Sequence, residues 1–241
     1  MQSIEALFTP AEFSLLPQRD LSRTVCVVFD VLRATSAIIT ALGSGAAGVI
    51  PVSEISEALA VRAGNPDVLL AGERDGLRIT DDFAFGNSPR EFMPERVRGK
   101  TIVTTTTNGT RALRSCAHAQ VVLVGSFLNL SATVTHLRTI KTDSLLLVCG
   151  GTFEHAAYED VLCAGAVADR FDSPGDDAAL LARNAYRSVA NNLLGALDEA
   201  ENGRRLRARP ELADDVPFCA SVDRFDIVAA MDHDGVIRKL L

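Results

Sequence analysis

From Thr24 onward the chain alternates short apolar runs with stretches whose apolar residues recur every three and four positions. That is the pattern of strands followed by helices rather than of a sandwich or a bundle. The runs predict strands over Val25–Asp30, Gly48–Val52, Val68–Ala71, Thr101–Thr105, Val121–Gly125 and Leu145–Cys149. Several are apolar throughout, as strands covered on both faces are. Ala34, Ala37, Ile38, Ala41 and Leu42 keep one helical face, and Gly43 and Gly45 stop it. The longest helical pattern runs from Ala178 to Leu197 without a break, behind Asp176 and Asp177 as caps. Val216–Ser221 and Ile227–Met231 read as one or two further strands. The expected fold is α/β, a layered α/β/α arrangement around a mostly parallel or mixed sheet. It is taken as a single domain over 1–241, with Ser173-Pro174-Gly175 as a candidate hinge to a helical C-terminal subregion from about 174.

Of the 241 residues 47% are hydrophobic and 23% charged, enough apolar material to make a packed core the default. The apolar runs are too short for a bilayer, and the N-terminus lacks the basic start and apolar stretch of a signal peptide, so a cytoplasmic location is expected. Five cysteines, at 26, 116, 149, 163 and 219, are odd in number and dispersed, and read as small buried residues rather than disulfides or thiolate ligands. A net charge of −7, no Trp and two Tyr weigh against nucleic acid. A local group of arginines and backbone N–H groups can still receive a small anion.

Polar residues that sit oddly for a core or a plain surface collect at the carboxyl ends of the expected strands, where open α/β sheets place their ligands. The first strand ends in Phe29-Asp30-Val31-Leu32-Arg33-Ala34-Thr35-Ser36. A carboxylate at the tip can hold a hard cation, and a guanidinium three residues on can clamp a phosphate or sulfonate. The alternative is a helix cap at Asp30 or Thr35 and a surface ion pair at Arg33. Thr104 to Thr107, then Asn108-Gly109-Thr110-Arg111, leave an apolar strand and lead into a helix, whose positive end suits an anion. An Asn-Gly hairpin competes, but Ala112 and Leu113 continue as helix. The stretch from Gly72-Glu73-Arg74-Asp75-Gly76 to Gly86-Asn87-Ser88-Pro89 lacks apolar periodicity and suggests a binding loop. Glu73 is there either a second cation ligand or half of a solvated Glu-Arg pair. Gly150-Gly151 to Tyr158-Glu159-Asp160 puts two carboxylates at a helix start, as caps or as further oxygen ligands for Mg²⁺. Histidines at 118, 136, 155 and 233 show no zinc spacing, and only His155, expected as an exposed loop residue, lies near these clusters. Serine-elbow, P-loop and dinucleotide fingerprints are missing.

In this order the segments resemble the 2-phosphosulfolactate phosphatase family. The resemblance runs from Val27 to Ala220 and rests on Phe29–Thr35, Gly72-Glu73-Arg74, Gly86-Asn87-Ser88-Pro89, Thr105–Thr110, Glu159-Asp160 followed by Cys163-Ala164-Gly165, and Asp215-Val216. It implies an Mg²⁺-dependent enzyme with an α/β fold of its own, removing phosphate from 2-phosphosulfolactate to give sulfolactate on the way to coenzyme M. Two runs depart from the family pattern, Gly150–Ala156 and Asp81-Asp82-Phe83-Ala84-Phe85, and both fall in loops expected to shape the pocket.

On this basis Mg²⁺ is expected among Asp30, Glu73, Glu159 and Asp160, with Asp30, Arg33, Glu159 and Asp160 catalytic. Arg33, Thr35, Arg74, Asn87, Ser88, Thr105, Thr106, Thr107, Asn108, Gly109 and Thr110 are expected to hold phosphate or substrate. Attack comes from water with a carboxylate as base, or from Asp30 itself through an aspartyl-phosphate. Leu32 two residues after Asp30 removes the D-x-D arrangement and favours the water route. Another small phosphorylated hydroxy acid as substrate and a non-catalytic anion-binding protein on the same scaffold stand as alternatives, with a symmetric homodimer as the expected assembly.

Overall fold

The computed structural model describes residues 3–74 and 76–240. Asp75, within the Gly72–Gly76 segment above, lies outside the described residues. Ten strands form one sheet: β1 (Ser3–Leu7), β2 (Thr24–Phe29), β3 (Gly48–Pro51), β4 (Leu69–Arg74), β5 (Leu77–Arg78), β6 (Thr101–Thr105), β7 (Val121–Gly125), β8 (Ser144–Cys149), β9 (Val228–Met231) and β10 (Ile237–Leu240), in the order β1-β8-β2-β7-β9-β10-β3-β6-β4-β5. The α-helices are α1 (Pro10–Phe13), α2 (Ala34–Gly43), α3 (Ile55–Gly64), α4 (Pro94–Val97), α5 (Gly109–Ser115), α6 (Leu130–Leu137), α7 (Tyr158–Ala168), α8 (Asp177–Val189), α9 (Leu193–Glu199), α10 (Glu201–Arg207) and α11 (Asp215–Cys219).

The sheet is mixed. β1, β8, β2 and β7 pair in parallel, as do β3, β6 and β4. The antiparallel hairpin β9–β10 joins these two halves. Three antiparallel pairings separate the halves, so they run in opposite senses along the ladder. Strand pairs twist by about 20–25° each, and the five steps from β2 to β6 add up to roughly 100–125°. That rotation brings the carboxyl ends of the two halves toward one another.

Side-chain alternation along the strands decides what each face covers. Val25, Val27 and Phe29 of β2 pack with α6 and α7, whereas Cys26 and Val28 point the other way, onto α2 and α5. Val49 of β3, Ala71 of β4 and Ile102 of β6 join that same core, so the sheet curls around α2 and α5. Every residue of α2 from Ala34 to Leu42 is buried, including Thr35, Ser36 and Thr40, whose hydroxyls each hydrogen-bond to a backbone group. The outer faces carry α6, α7 and α8 on one half and α3 on the other, completing the layered α/β/α fold.

Three sequence readings change. Val216–Ser221 is not a strand: it lies largely in α11, where Val216 and Cys219, three apart, are buried together. The helix expected from Ala178 to Leu197 breaks at Ala190–Asn192, because the Asn192 side chain accepts the Gly195 N–H and starts α9 afresh. β1, β5 and β10 were not foreseen. All five cysteines are buried and free. Among the described residues no helix is long and apolar enough to cross a membrane.

Candidate active site

β2 ends at Phe29, and the chain turns sharply into α2. Asp30 N donates to Thr35 Oγ1 at 3.1 Å and Thr35 N to the Asp30 carbonyl at 2.9 Å, while Asp30 Oδ1 accepts the Ala34 N–H at 3.1 Å. These contacts close the turn and leave Asp30 Oδ2 without a hydrogen bond to any described residue. A Cβ at Gly109 would lie 2.7 Å from that oxygen, and one at Gly150 3.1 Å from the Asp30 Cβ, so both neighbours have room only as glycine. Burial pushes the Asp30 carboxyl up to about 7. The charges of Glu73 and Glu159 push the same way, against the Ala34 N–H and the Arg33 charge.

Glu73, in the last turn of β4, reaches across to the loop after β6. Its Oε1 accepts the Thr107 N–H at 2.8 Å and the Thr107 hydroxyl at 3.0 Å, and its Oε2 accepts the Gly76 N–H at 2.7 Å. Asn108 ties this loop to the one after β8, donating to the carbonyls of Gly151 and Phe153. Arg33 is buried, with Nη1 donating to Asp215 Oδ2 at 2.8 Å and Nη2 to the Gly76 carbonyl at 2.8 Å. Asp215 is fully buried; its Oδ1 accepts the Ser88 hydroxyl at 2.6 Å and lies 3.6 Å from Arg90 Nη1. A buried ion pair with its remaining lone pair occupied holds the guanidinium in one orientation.

Between these loops and α10 lies a cleft of about 100 Å³. Asp30, Arg33, Glu73, Asn87, Thr107 and Asn108 line it on the sheet side. Gly151, Thr152 and Phe153 form one edge, and Asn202, Arg205, Leu206 and Arg209 the opposite wall. The structure therefore gathers six of the residues expected at the site, with Gly109 backing Asp30.

The rest of the expected set supports the cleft without lining it. Thr35 is fully buried with its hydroxyl spent on the Asp30 turn. Arg74 points away and donates to the carbonyls of Glu73 and Ser53 and to Thr105 Oγ1, which itself donates to the Ser53 carbonyl. Thr106 and Thr110 cap one another at the start of α5. Ser88 serves Asp215. Asp160 is buried with Oδ1 on the Val31 N–H and Oδ2 on the Gly151 N–H, clamping the loops after β2 and β8. Glu159 is buried and accepts from Asn202 Nδ2 at 2.7 Å. Burial raises both carboxyls above their usual range, that of Asp160 well above. The Asp81–Phe85 run does not shape the pocket: Phe83 and Phe85 are buried, and Phe85 stacks on Phe92.

Two consequences follow for the expected metal. Among the described residues no three acidic, histidine or cysteine side chains are grouped closely enough to hold an ion, so the four-carboxylate set is not a preformed cluster. Asp30 and Glu73, the two carboxylates lining the cleft, remain a fitting pair, because Mg²⁺ keeps most of its waters and takes one or two carboxylates besides a substrate phosphate. The residues that sequence reasoning missed are Asn202, Arg205 and Arg209, together with Asp215 as the partner of Arg33. Only the Asp215-Val216 motif carried any signal for them.

Comparison with known proteins gives one family. The family model described as 2-phosphosulpholactate phosphatase matches residues 11–234. A protein of Caldanaerobacter subterraneus subsp. tengcongensis named probable 2-phosphosulfolactate phosphatase is 40% identical over 240 residues, covering 96% of this chain and 97% of its own. Proteins of the same name from Pseudothermotoga lettingae, 39% identical over 93% of this chain and 96% of theirs, and from Thermotoga maritima, 41% over 88% and 91%, are similar throughout. With a match across nearly its whole length and relatives of its own size, the chain belongs to the 2-phosphosulpholactate phosphatase family.

Proposed function

We propose that the protein hydrolyses 2-phosphosulfolactate to sulfolactate and inorganic phosphate, as in coenzyme M synthesis, with Mg²⁺ held by Asp30 and Glu73. The observation that carries this reading is the make-up of the cleft. Two carboxylates face three guanidiniums, Arg33, Arg205 and Arg209, and the substrate named in the relatives brings three acid groups, a phosphate, a carboxylate and a sulfonate.

Bound there, the ion would neutralise charge on a phosphoryl oxygen as the ester breaks. Arg33, fixed by Asp215 and Gly76, presents its remaining N–H donors to the phosphoryl group. Asp30 Oδ2 would hold the ion, so the water that attacks phosphorus gives its proton to solvent as the oxygen–phosphorus bond forms. The ester P–O bond breaks, and the hydroxy-acid oxygen leaves and takes a proton from solvent. Phosphoryl transfer passes through a loose transition state, so positioning matters more than strong basicity. Glu73 and Asn108 hold the loops after β4, β6 and β8 together around that water.

The test is phosphate release from racemic 2-phosphosulfolactate and from 2-phospholactate, with Mg²⁺ and then with excess chelator. The expected result is release that stops on chelation and falls about 10²–10⁴-fold in Asp30→Asn. Undiminished turnover in that variant removes Asp30 from the scheme. Intact ester after prolonged incubation with Mg²⁺ favours an anion-binding protein instead.

A further inference from the structure

The three arginines of the cleft are not equivalent. Arg33 belongs to the Asp30 turn and is buried and paired. Arg205 and Arg209 come from the far wall, and neither makes an ion pair with a described residue. Arg205 is nonetheless held. Its guanidinium lies 5.2 Å from the centre of the Phe153 ring, and its Nη1 is 3.4 Å from Asn202 Oδ1. Asn202 is in turn fixed through Nδ2, which donates to Glu159 Oε1 at 2.7 Å and Thr152 Oγ1 at 2.6 Å. Arg209, like Arg33, approaches the Gly76 turn: a Cβ at Gly76 would sit 3.7 Å from Arg209 Nη1, while the Gly76 carbonyl accepts from Arg33. Cations converging on one cleft repel unless an anion lies between them, and pre-positioned guanidiniums lose little freedom on binding one.

Resting on the phosphatase reading above, we infer that Arg205 and Arg209 are the specificity-determining residues, gripping the carboxylate and sulfonate that are not transferred. The phosphoryl group must lie at Asp30 and Arg33, where the reacting oxygen is. A substrate carrying two further acid groups on a three-carbon chain then extends them toward α10 and the turn after it, where Arg205 and Arg209 have no ion-pair partner among the described residues. The grip is bidentate in type, a fork of N–H donors on each acid.

Calorimetric titration of the full chain with sulfolactate and with lactate, in wild type and in Arg205→Ala, Arg209→Ala and Arg205→Lys, separates the possibilities, run beside turnover of 2-phosphosulfolactate and 2-phospholactate. The expected result is that one alanine variant, at the arginine on the sulfonate, loses at least tenfold more affinity for sulfolactate than for lactate, and that the other, at the arginine on the carboxylate, loses affinity for both. KM for the sulfonated ester rises more than kcat falls, and Arg205→Lys recovers part of the loss. Melting curves matching wild type exclude misfolding of these exposed and half-buried positions. Wild-type turnover with equal losses on both ligands in both alanine variants, or with none, overturns this inference alone. Selective sulfolactate binding that depends on both arginines, without any turnover, overturns the phosphatase reading alone.

Discussion

Asp30 sits against two glycines, gives one oxygen to Ala34 and keeps the other free, and burial holds its carboxyl near 7 instead of the ordinary 3.8. The fold therefore resists ionising it, so the metal-free protein loses stability as pH rises from about 4 to about 7, with no further loss above that. A divalent cation favours the ionised form and competes with the proton. Added Mg²⁺ is expected to raise the melting temperature more at about pH 8 than at about pH 5.5, and Asp30→Asn to shrink that difference. Equal shifts at both pH values would place the cation elsewhere. The sequence marked Asp30, Arg33, Glu73 and Asn108 because charged and amide groups at strand tips are rare without a task. It did not separate Thr107, which lines the cleft, from Thr105, Thr106 and Thr110, which brace it. A hydroxyl that caps a helix and one that faces a ligand carry the same local signature, and only the partner across the fold tells them apart.

The outer layer depends on how closely α7 and α8 pack. A Cβ on Gly165 would run into the Ala182 carbonyl, a backbone atom that no rotamer change can move aside. Gly165→Ala is expected to cost about 1–3 kcal/mol, read as a fall in the urea midpoint, with KM for the ester changing far less. An unchanged midpoint would show that the two helices separate freely. α8 was legible because its apolar periodicity is long, and α7 because Glu159 and Asp160 mark its start. β2, β3, β4, β6, β7 and β8 were legible because they are largely apolar runs, whereas the two-residue β5 was not. β10 was not, since Ile237 alone of its four residues is buried and Arg238 and Lys239 face outward. Nor was β1, an edge strand in which only Ile4 and Ala6 are buried. The five-residue α11 is shorter than periodicity can distinguish from a strand, and Asp215 at its start is readable as a cap only once its partner Arg33 is known.

Across the whole molecule, the carboxyl-end rule located the sheet side of the cleft and was silent on its far wall. Asn202, Arg205 and Arg209 stand some 170 residues from the Asp30 turn, and four arginines within Arg204–Arg209 look like an exposed helix face until the fold sets two of them along the cleft. The chain carries a net charge of −7, yet the cleft gathers three guanidiniums. At physiological salt fields decay over about 8 Å, so a substrate at the mouth feels the arginines rather than distant carboxylates. Raising salt from about 0.15 M to about 0.5 M is thus expected to lower kcat/KM for the multiply charged ester, whereas a rise would mean that the overall acidity dominates. The hairpin that joins the two halves of the sheet comes later in the chain than every strand it connects. Until residues 228–240 have been made, the nascent chain carries two unjoined edges, β7 and β3, each with an open row of peptide groups ready to pair with a neighbour. Translation that stalls just short of Val228 therefore leaves the molecule in its most adhesive form, with every other strand of the sheet made and chaperones needed to keep its edges apart.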